Sequence, residues 1–521
     1  MNIARIIVSV WVACLTVVAS AGLKMGTPFS DHMVLQRERK VPVWGWAAPG
    51  ERVTVKFAGQ EKSVKADSKG KWTVELDPLK MSKVPQTMKV NDLEIKDILV
   101  GEVWLVSGQS NTELPLWGSS ARFRDRQGAL VAQITRRPMI RYAYACEYDV
   151  HKLSTVPLEQ ATRKVEWKPF TPENLSRSPS FSAMAVYFAR DLEDVLDMPI
   201  GLVGAYWGGT NIDAWTPHSG YDNHPELAET RDYKLVDWDT WEAERRATSK
   251  MPICEGNQQP SILWNTMWAP WVPFASRGLI WYQGCHNHAE GESYCNKMHA
   301  LYDGWSKEFQ NPDFKLYFAQ LAPYNFPKNW FRIRLGQDRF AAEEKNAGMV
   351  VTCDVGNFDD IHPADKEPIG RRLALLALNR DYGFTDIVAD SPRAVAVKRE
   401  GSDLVVDVAN ATSLYVYADD FSAPYGMFEV AGTNAHWYAA TLVNAKIDRM
   451  YGGVSTCQGG ISRVDGKVKL VVGSAAVKEP VMVRYLQHSP WKGTIFNQVC
   501  LPLGPFELFT PEFAATIKNR K

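Results

Sequence analysis

A continuous apolar segment, residues 98–106, ends at Gly108 and is followed at once by Ser110 and Asn111. Such a segment, interrupted by only two residues, predicts a strand that is buried on both faces. In open α/β sheets, ligands bind in the crevice beyond the carboxyl ends of the strands. We therefore predict that Ser110 presents its hydroxyl at such a crevice, where nearby backbone N–H groups suit an anionic oxygen.

The periodicity of the apolar residues changes twice along the chain. Short alternating runs separated by turn residues occupy residues 22–97 and return after residue 390, which predicts β structure on both sides of a central segment. Within residues 98–390 strands alternate with helices, a pattern typical of a parallel sheet covered on both faces. We predict an N-terminal β domain at 22–97, an α/β domain at 98–390, and a C-terminal β domain with a tail at 391–521. Helices are predicted at residues 181–196, 293–309, 331–346 and 369–379.

The first 21 residues have the pattern of a signal peptide. Arg5 precedes an apolar core at residues 6–18, and residues 19–21 (Ala-Ser-Ala) offer a cleavage site. The core is too short to cross a bilayer as a helix, so we expect a secreted or periplasmic protein. Lys+Arg and Asp+Glu both number 59, and this zero formal net charge argues against nucleic acid or anionic membranes as partners.

Polar clusters follow four of the predicted strands. They are residues 108–111 (Gly-Gln-Ser-Asn), 207–210 (Trp-Gly-Gly-Thr), 283–287 (Gln-Gly-Cys-His-Asn) and 359–363 (Asp-Asp-Ile-His-Pro). Because the carboxyl ends of parallel strands meet at one edge of a sheet, all four clusters can converge there. This shared position is the strongest indication of an active site in the sequence.

The clusters contain the groups that an ester hydrolase needs, which are a nucleophile, a base and a group that orients the base. Ser110 is predicted to be the nucleophile and His362 the base that takes its proton. Asp359 lies three residues before His362 and is predicted to orient the imidazole, with Asp360 as the rival for that role.

An ester hydrolase also needs donors for the oxyanion that forms during the reaction. We predict that the Ser110 N–H, a backbone N–H of the Gly208–Gly209 pair and the Asn287 side-chain amide supply them. The same clusters contain further residues that we predict to contact the substrate: Gln109, Trp207 and Gln283.

In this order, the four clusters resemble the sequence blocks of SGNH hydrolases, and more narrowly those of sialate O-acetylesterases and related carbohydrate acetylesterases. Residues 31–37, 43–46 and 370–374 are also similar to that family, so the resemblance covers nearly the whole mature chain. It implies an SGNH-hydrolase-like, flavodoxin-like parallel sheet with helices on both faces, flanked by β-sandwich-like domains. It also implies that Ser110 and His362 hydrolyse acetyl esters on sugars, most of all O-acetylated sialic acids, without a cofactor or a metal.

The chain departs from the family at two positions, since Thr112 stands where the family usually has Met and Cys285 where it usually has Glu. Loss of the glutamate leaves open a carbohydrate-binding protein whose esterase site has decayed, and acetylated xylan is the alternative substrate. Cys285 and Cys295 lie ten residues apart and are either a disulfide or two separate buried thiols.

Two alternatives concern other side chains. Cys285, His286 and His288, together with Asp359 and His362, have zinc-ligand chemistry. The Cys-His-x-His spacing is unlike that of structural zinc motifs, and a zinc site would leave the serine cluster unexplained. Some tryptophans could stack on sugar rings, although aromatic residues beside sheets more often fill the core. These are residues 207, 215, 264, 268 and 281.

Overall fold

The computed structural model describes residues 22–116, 137–171, 173–174, 181–247, 255–325, 330–356, 359–418, 427–449, 457–487 and 492–518. The predicted signal peptide lies outside these residues. The described chain is a mixed α/β protein, as predicted. Among the helices in these ranges, none has both the length and the apolar character needed to cross a membrane.

The chain begins with strands β1 (Lys24–Met25), β2 (Val34–Gln36), β3 (Val41–Trp46), β4 (Arg52–Phe57), β5 (Gln60–Lys65), β6 (Lys71–Leu76), β7 (Ser82–Val90) and β8 (Leu93–Gly108). Strands and helices then alternate: α1 (Ser110–Glu113), β9 (Ile140–Tyr144), β10 (Trp167–Pro169), α2 (Ala183–Leu196), β11 (Ile200–Tyr206), α3 (Ala228–Arg231), α4 (Trp238–Ala247), β12 (Gly278–Tyr282), α5 (Tyr294–Glu308), β13 (Lys315–Ala319), α6 (Trp330–Glu343), β14 (Ala347–Val350) and α7 (Glu367–Asp381). The last part contains β15 (Arg393–Glu400), β16 (Asp403–Ala409), β17 (Leu414–Ala418), β18 (Phe428–Ala431), β19 (Trp437–Leu442), β20 (Ala445–Arg449), β21 (Cys457–Ile461), β22 (Lys469–Gly473), β23 (Met482–Tyr485), β24 (Ile495–Asn497), β25 (Phe506–Phe509) and α8 (Pro511–Lys518).

Strand β8 lies at the centre of the main sheet, whose order is β10-β9-β11-β8-β12-β13-β14. Its neighbours β11 and β12 both run parallel to it. Gly108 pairs with Tyr206 on one side and with Tyr282 on the other, so these three strands end at the same level. Every residue of β8 from Ile98 onward is buried, in agreement with the strand predicted from its apolar run. Because the three strands end at the same level, the polar clusters that follow them lie at one edge of the sheet.

The order of the parallel strands contains the flavodoxin-like order that the family resemblance implied, with one strand added at an edge. A flavodoxin-like sheet has the order 2-1-3-4-5. Here β11, β8, β12, β13 and β14 lie in that order, and β9 is an additional parallel strand that pairs with the outer edge of β11. Local periodicity predicts strands and helices but does not say on which side of its predecessor each strand pairs, so it could not give the position of β9.

The N-terminal strands continue into the same sheet. The first half of β8 pairs with β2 and β7, and β4 and β5 extend the sheet beyond β7. Strands β1, β3 and β6 form a separate three-stranded sheet. The domain boundary predicted at residue 98 therefore falls inside one continuous strand, and one hydrophobic core joins residues on both sides of it.

The C-terminal strands form two sheets with a core of their own. One has seven strands, in the order β15-β16-β22-β19-β18-β23-β25, and the other has four, in the order β20-β21-β17-β24. Their core also takes in Val351 and Cys353, which directly follow β14. The C-terminal sheets therefore support the segment that leads from β14 toward His362.

Helices α2 and α7 pack closely behind the site. Helix α2 starts at Ser182, whose Oγ accepts the N–H of Ala185 at 3.3 Å and so caps the helix. At Gly370 on α7, a Cβ atom would lie 2.6 Å from the Met184 carbonyl oxygen, so only glycine allows the two helices to approach this closely. This contact fixes the helix that follows the His362 loop.

Candidate active site

The turn after β8 places Ser110 at the edge of the sheet. Gly108 has a φ of 140°, and a Cβ there would lie 2.4 Å from both the Tyr282 carbonyl oxygen and Thr112 Oγ1. Only glycine fits this turn without displacing the neighbouring strand end. Ser110 then opens the short helix α1, and its N–H has no acceptor within the described part of the chain. That N–H is therefore free to donate, and its role toward an oxyanion stays a prediction.

Ser110 and His362 are in direct contact. Ser110 Oγ lies 2.8 Å from His362 Nε2, although 252 residues separate them. Burial lowers the pKa of His362, and the nearby Lys366 lowers this pKa further, while Asp360 opposes the shift. The neutral imidazole is thereby favoured, and neutral imidazole can accept the serine proton.

Asp360 is the carboxylate that the structure places against His362. Its Oδ1 accepts the backbone N–H of His362 at 2.8 Å and lies 3.4 Å from Nδ1 of the ring. A carboxylate that accepts the N–H two residues on forms a local turn, which folds Asp360 back over the imidazole. Asp359, the first choice from the sequence, is exposed on the same loop, and so is Asp360. Asp360, the rival from the sequence, therefore lies where its carboxylate can orient the His362 ring.

The Gly208 N–H, one of the predicted oxyanion donors, is engaged by another side chain. It donates to Glu113 Oε2 at 2.7 Å, and the hydroxyl of Tyr148 donates to Glu113 Oε1 at 2.8 Å. A Cβ on Gly208 would lie 3.3 Å from the Cβ of Ser110, so this turn does reach Ser110. The N–H of Gly209 has no acceptor among the described residues. Of the two glycines, Gly209 therefore has the free donor.

Asn287 is buried between the clusters. Its Oδ1 accepts the Ile212 N–H at 3.0 Å and Gln283 Nε2 at 2.6 Å, which leaves Nδ2 to act as a donor. One Nδ2 hydrogen goes to Glu290 Oε1 at 2.8 Å. Because a side-chain amide has two N–H bonds, one remains for an oxyanion. Asn287 is held in one orientation by these partners.

Two of the three residues predicted to contact substrate have buried side chains that connect neighbouring loops. Gln283 has no exposed surface and joins Thr210, Asn287 and Tyr294 through hydrogen bonds of 3.1, 2.6 and 2.6 Å. Gln109 is 3% exposed, and its Oε1 accepts backbone N–H groups of the neighbouring cluster. Both side chains therefore hold neighbouring loops together, and their contact with substrate stays a prediction.

The third predicted substrate contact, Trp207, remains accessible. It is half-buried and packs edge-on against Tyr148, with ring centroids 5.1 Å apart. The other tryptophans considered as sugar platforms are all buried, which confirms the preference for a core role: residues 215, 264, 268 and 281.

Lys366 is buried beside the nucleophile loop. Its Nζ lies 2.6 Å from Asn111 Oδ1 and 5.1 Å from the centre of the Tyr282 ring. Burial lowers the pKa of Lys366 to about 7. The Asn111 amide nitrogen lies 3.8 Å from the Sγ of Cys285, and burial raises the pKa of this thiol to about 12. A neutral thiol thus stands near the buried amine, at the position where the related family has a carboxylate.

The structure does not support the disulfide or the zinc site that were considered for Cys285. Cys285 and Cys295 are separate buried thiols, so the structure contains no bridge between them. Cys285, His286 and His288 do not bring ligand atoms together in the described residues, and His288 Nδ1 instead faces the Cys285 carbonyl oxygen at 2.9 Å. The serine site is therefore the chemistry that these clusters support.

Glu113, Tyr148 and Lys366 are site residues that the sequence interpretation missed. Glu113 lies three residues after Ser110, and Lys366 four after His362, which are spacings that bring side chains to one face of a helical turn. Many other charged residues have the same spacing from a polar residue, so the spacing did not single out these two. Tyr148 lies in the segment after β9 and carried no local signal.

The known proteins that are similar to this chain agree with one another in the activity that their names describe. No protein-family model matches the chain. The sialate O-acetylesterase of Rattus norvegicus is 26% identical over 500 residues, which cover 86% of this chain and 89% of the rat protein. The sialate O-acetylesterase of Homo sapiens is 27% identical over 482 residues, with 85% and 86% of the two chains covered.

Among solved structures, a carbohydrate acetylesterase from Xanthomonas citri is similar to this chain with a TM-score of 0.75. It is 28% identical, and the match covers 94% of this chain and 100% of the other. The fold of the chain is therefore close to that of a carbohydrate acetylesterase. The resemblance that the sequence motifs indicated is confirmed by these matches.

Proposed function

We propose that this chain, a carboxylic ester hydrolase related to the sialate O-acetylesterases, is a serine esterase that removes O-acetyl groups from sugars, most of all from O-acetylated sialic acids. The observation that carries the proposal is the 2.8 Å contact between Ser110 Oγ and His362 Nε2 at the carboxyl edge of the parallel sheet. A hydroxyl bonded to a neutral imidazole is the starting arrangement for nucleophilic attack on an ester.

In the proposed mechanism, Ser110 Oγ attacks the acetyl carbonyl carbon while His362 Nε2 takes the hydroxyl proton. Asp360 faces Nδ1 and stabilises the imidazolium that forms. The imidazolium then donates its proton to the sugar oxygen as the C–O bond breaks, which leaves an acetyl-enzyme. Water, deprotonated by His362, attacks this ester and releases acetate, and the proton returns to Ser110.

The oxyanion of each tetrahedral intermediate is proposed to accept three hydrogen bonds, from Ser110 N–H, Gly209 N–H and the free N–H of Asn287 Nδ2. The first two N–H groups have no acceptor among the described residues, and the buried partners of Asn287 keep its amide in place. Donors fixed in this way need no reorganisation when charge develops, which is where such sites gain most of their rate.

The finer features of the fold belong to the same proposal. We assign the parallel sheet to the SGNH hydrolase arrangement, with β structure before and after it, because serine, glycine, asparagine and histidine follow its strands in the order that the family uses. Residues 1–21 are proposed to direct export, with the mature chain acting in the periplasm or outside the cell. N-terminal sequencing of the exported protein would show whether cleavage occurs near residue 21.

Sialic acid is preferred over other acetylated sugars because two relatives matched over most of both chains are named sialate O-acetylesterases. A broader carbohydrate acetylesterase, including one that acts on acetylated xylan, is the second candidate. It is favoured by the X. citri neighbour, which covers more of this chain.

The test is to measure acetate release from O-acetylated sialic acid, acetylated xylan and a simple aryl acetate at equal acetyl concentration. We expect the sialic acid to be hydrolysed fastest, and Ser110→Ala and His362→Ala to lose several orders of magnitude in kcat while they keep the thermal stability of the wild type. Faster release from xylan would overturn the substrate assignment. Near-normal activity of Ser110→Ala would overturn the mechanism, and no release from any ester would indicate a decayed, carbohydrate-binding site.

A further inference from the structure

Outside the esterase site, a thiol, an imidazole and a carboxylate meet between helices α5 and α6. Cys295 and His299 lie four residues apart on α5, so their side chains share one face of the helix. Glu343 is the last residue of α6. Glu343 Oε2 lies 3.5 Å from Cys295 Sγ and 3.0 Å from His299 Nε2, and all three ligand atoms lie within 4.8 Å of one another.

These separations fit the edges of a tetrahedral zinc site. With the usual zinc–ligand bond lengths, a tetrahedron has edges of about 3.4 Å between imidazole nitrogen and carboxylate oxygen, and about 3.6 Å between sulfur and oxygen. The corresponding distances here are 3.0 and 3.5 Å. Two of the three separations are therefore already close to those of a zinc tetrahedron, and the third, between Cys295 Sγ and the His299 ring nitrogen, is within 4.8 Å.

We propose that Cys295, His299 and Glu343 form a zinc site that joins α5 to α6. Thiolate, imidazole and carboxylate together suit zinc better than calcium or magnesium, which take oxygen ligands alone. Three protein ligands leave the fourth tetrahedral position to water. Cys295 is fully buried, while His299 and Glu343 have side chains 24% and 48% exposed, so an ion can enter from the solvent side.

Arg339 is the cation closest to this site. Its Nε lies 3.2 Å from Cys295 Sγ and 3.4 Å from Glu343 Oε1, and its Nη2 donates to Asn296 Oδ1 at 3.0 Å. A thiolate and a carboxylate carry two negative charges, so the site stays net negative beside one guanidinium. The Nε–H can continue to donate to the sulfur as an outer contact, of the kind that orients metal ligands.

The site would brace the loop that carries Asn287. This loop, residues 285–293, leads directly into α5, and it also packs on α6, where Glu292 Oε1 accepts Arg332 Nη1 at 3.0 Å. An ion that holds α5 to α6 therefore limits the movement of this loop, because the loop contacts both helices. Since none of the three ligands belongs to the esterase site, the expected effect is on metal binding and stability.

The test is to titrate Zn²⁺ by calorimetry into chelator-treated, reduced protein, and to record the near-ultraviolet sulfur-to-metal charge-transfer band with Co²⁺. We expect one equivalent of Zn²⁺ to bind and to raise Tm. Cys295→Ala should abolish the band. Glu343→Gln, a change at a half-exposed side chain that leaves the core intact, should weaken binding by at least about 10- to 100-fold, the loss already seen when outer partners are removed.

Two matched controls identify adventitious binding. His151 pairs with Asp239 at 3.0 Å on the surface without a thiol, and Cys500 is an exposed free thiol. His151→Gln and Cys500→Ser should leave the stoichiometry and the affinity unchanged. The absence of binding and band in the wild type, or equal binding in Cys295→Ala and Glu343→Gln, would overturn the proposal and leave the cluster as a hydrogen-bond network between two helices.

Discussion

Lys366 Nζ lies 2.6 Å from Asn111 Oδ1, and this contact joins the loop of His362 to the loop of Ser110. Asn111 directly follows Ser110, and its Nδ2 donates to the Ile361 carbonyl oxygen, next to His362, at 3.1 Å. Two hydrogen bonds from one buried side chain therefore hold the two catalytic segments together. They account for a short contact between a serine and a histidine that come from distant parts of the chain.

The buried Lys366 amine should make stability depend on pH. Its pKa is about 7 in the folded protein, against 10.5 for an unperturbed lysine. A lowered lysine pKa means that the unfolded chain binds the additional proton, so the free energy of unfolding rises with pH between these two values, by up to about 1.4 kcal/mol per pH unit. Urea unfolding at pH 6 to 9 should show the wild type gaining stability relative to Lys366→Met as pH rises. Parallel pH profiles would contradict this.

Asp360→Asn and Asp359→Asn should differ in their effects. Loss of the Asp360 charge removes the influence that opposes the lowered pKa of His362, so this pKa falls further and the acid limb of kcat/KM moves to lower pH. Loss of orientation should also reduce kcat by about 10²-fold. We expect Asp359→Asn to keep the wild-type pH profile and rate. The reverse result in a pH–rate study would make Asp359 the orienting residue.

Glu113 is expected to act by positioning the Gly208–Gly209 turn. Because its carboxylate accepts the Gly208 N–H, Glu113→Ala should release the turn and misplace the Gly209 donor, with a loss of about 10²-fold in kcat and little change in KM. Glu113→Gln keeps an acceptor oxygen and should lose less. If steady-state kinetics showed a faster Glu113→Ala enzyme, Glu113 would instead be blocking a donor at Gly208.

Asn287→Ala should lower kcat by about 10²- to 10³-fold with little change in KM, because it removes one oxyanion donor. The substitution also removes the acceptor for Ile212 N–H, so Tm must be measured beside the kinetics. A rise in KM at constant kcat would mean that Asn287 binds the sugar. A large fall in Tm that accompanies the kinetic loss would assign Asn287 a structural role.

The sequence by itself determined where the reacting groups lie. Apolar runs and their periodicity are local properties, so they identified the buried strand before Ser110 and the alternation of strands and helices in the central segment. The carboxyl ends of parallel strands lie at one edge of their sheet. For this reason, clusters spread over more than 250 residues could be placed together, and Ser110 and His362 could be paired before any distance was known.

Tertiary structure alone decided the identity of the supporting residues. Asp360 lies against the imidazole ring, the Glu113 carboxylate accepts the Gly208 N–H, and Gln109 and Gln283 are buried. The position of β9 was also beyond the sequence, since it pairs with the outer edge of β11. Each of these outcomes depends on a contact between residues that are distant in the chain. Such a contact selects one of two adjacent side chains, or one edge of a strand. Local propensity is nearly equal for the alternatives, so packing decides between them.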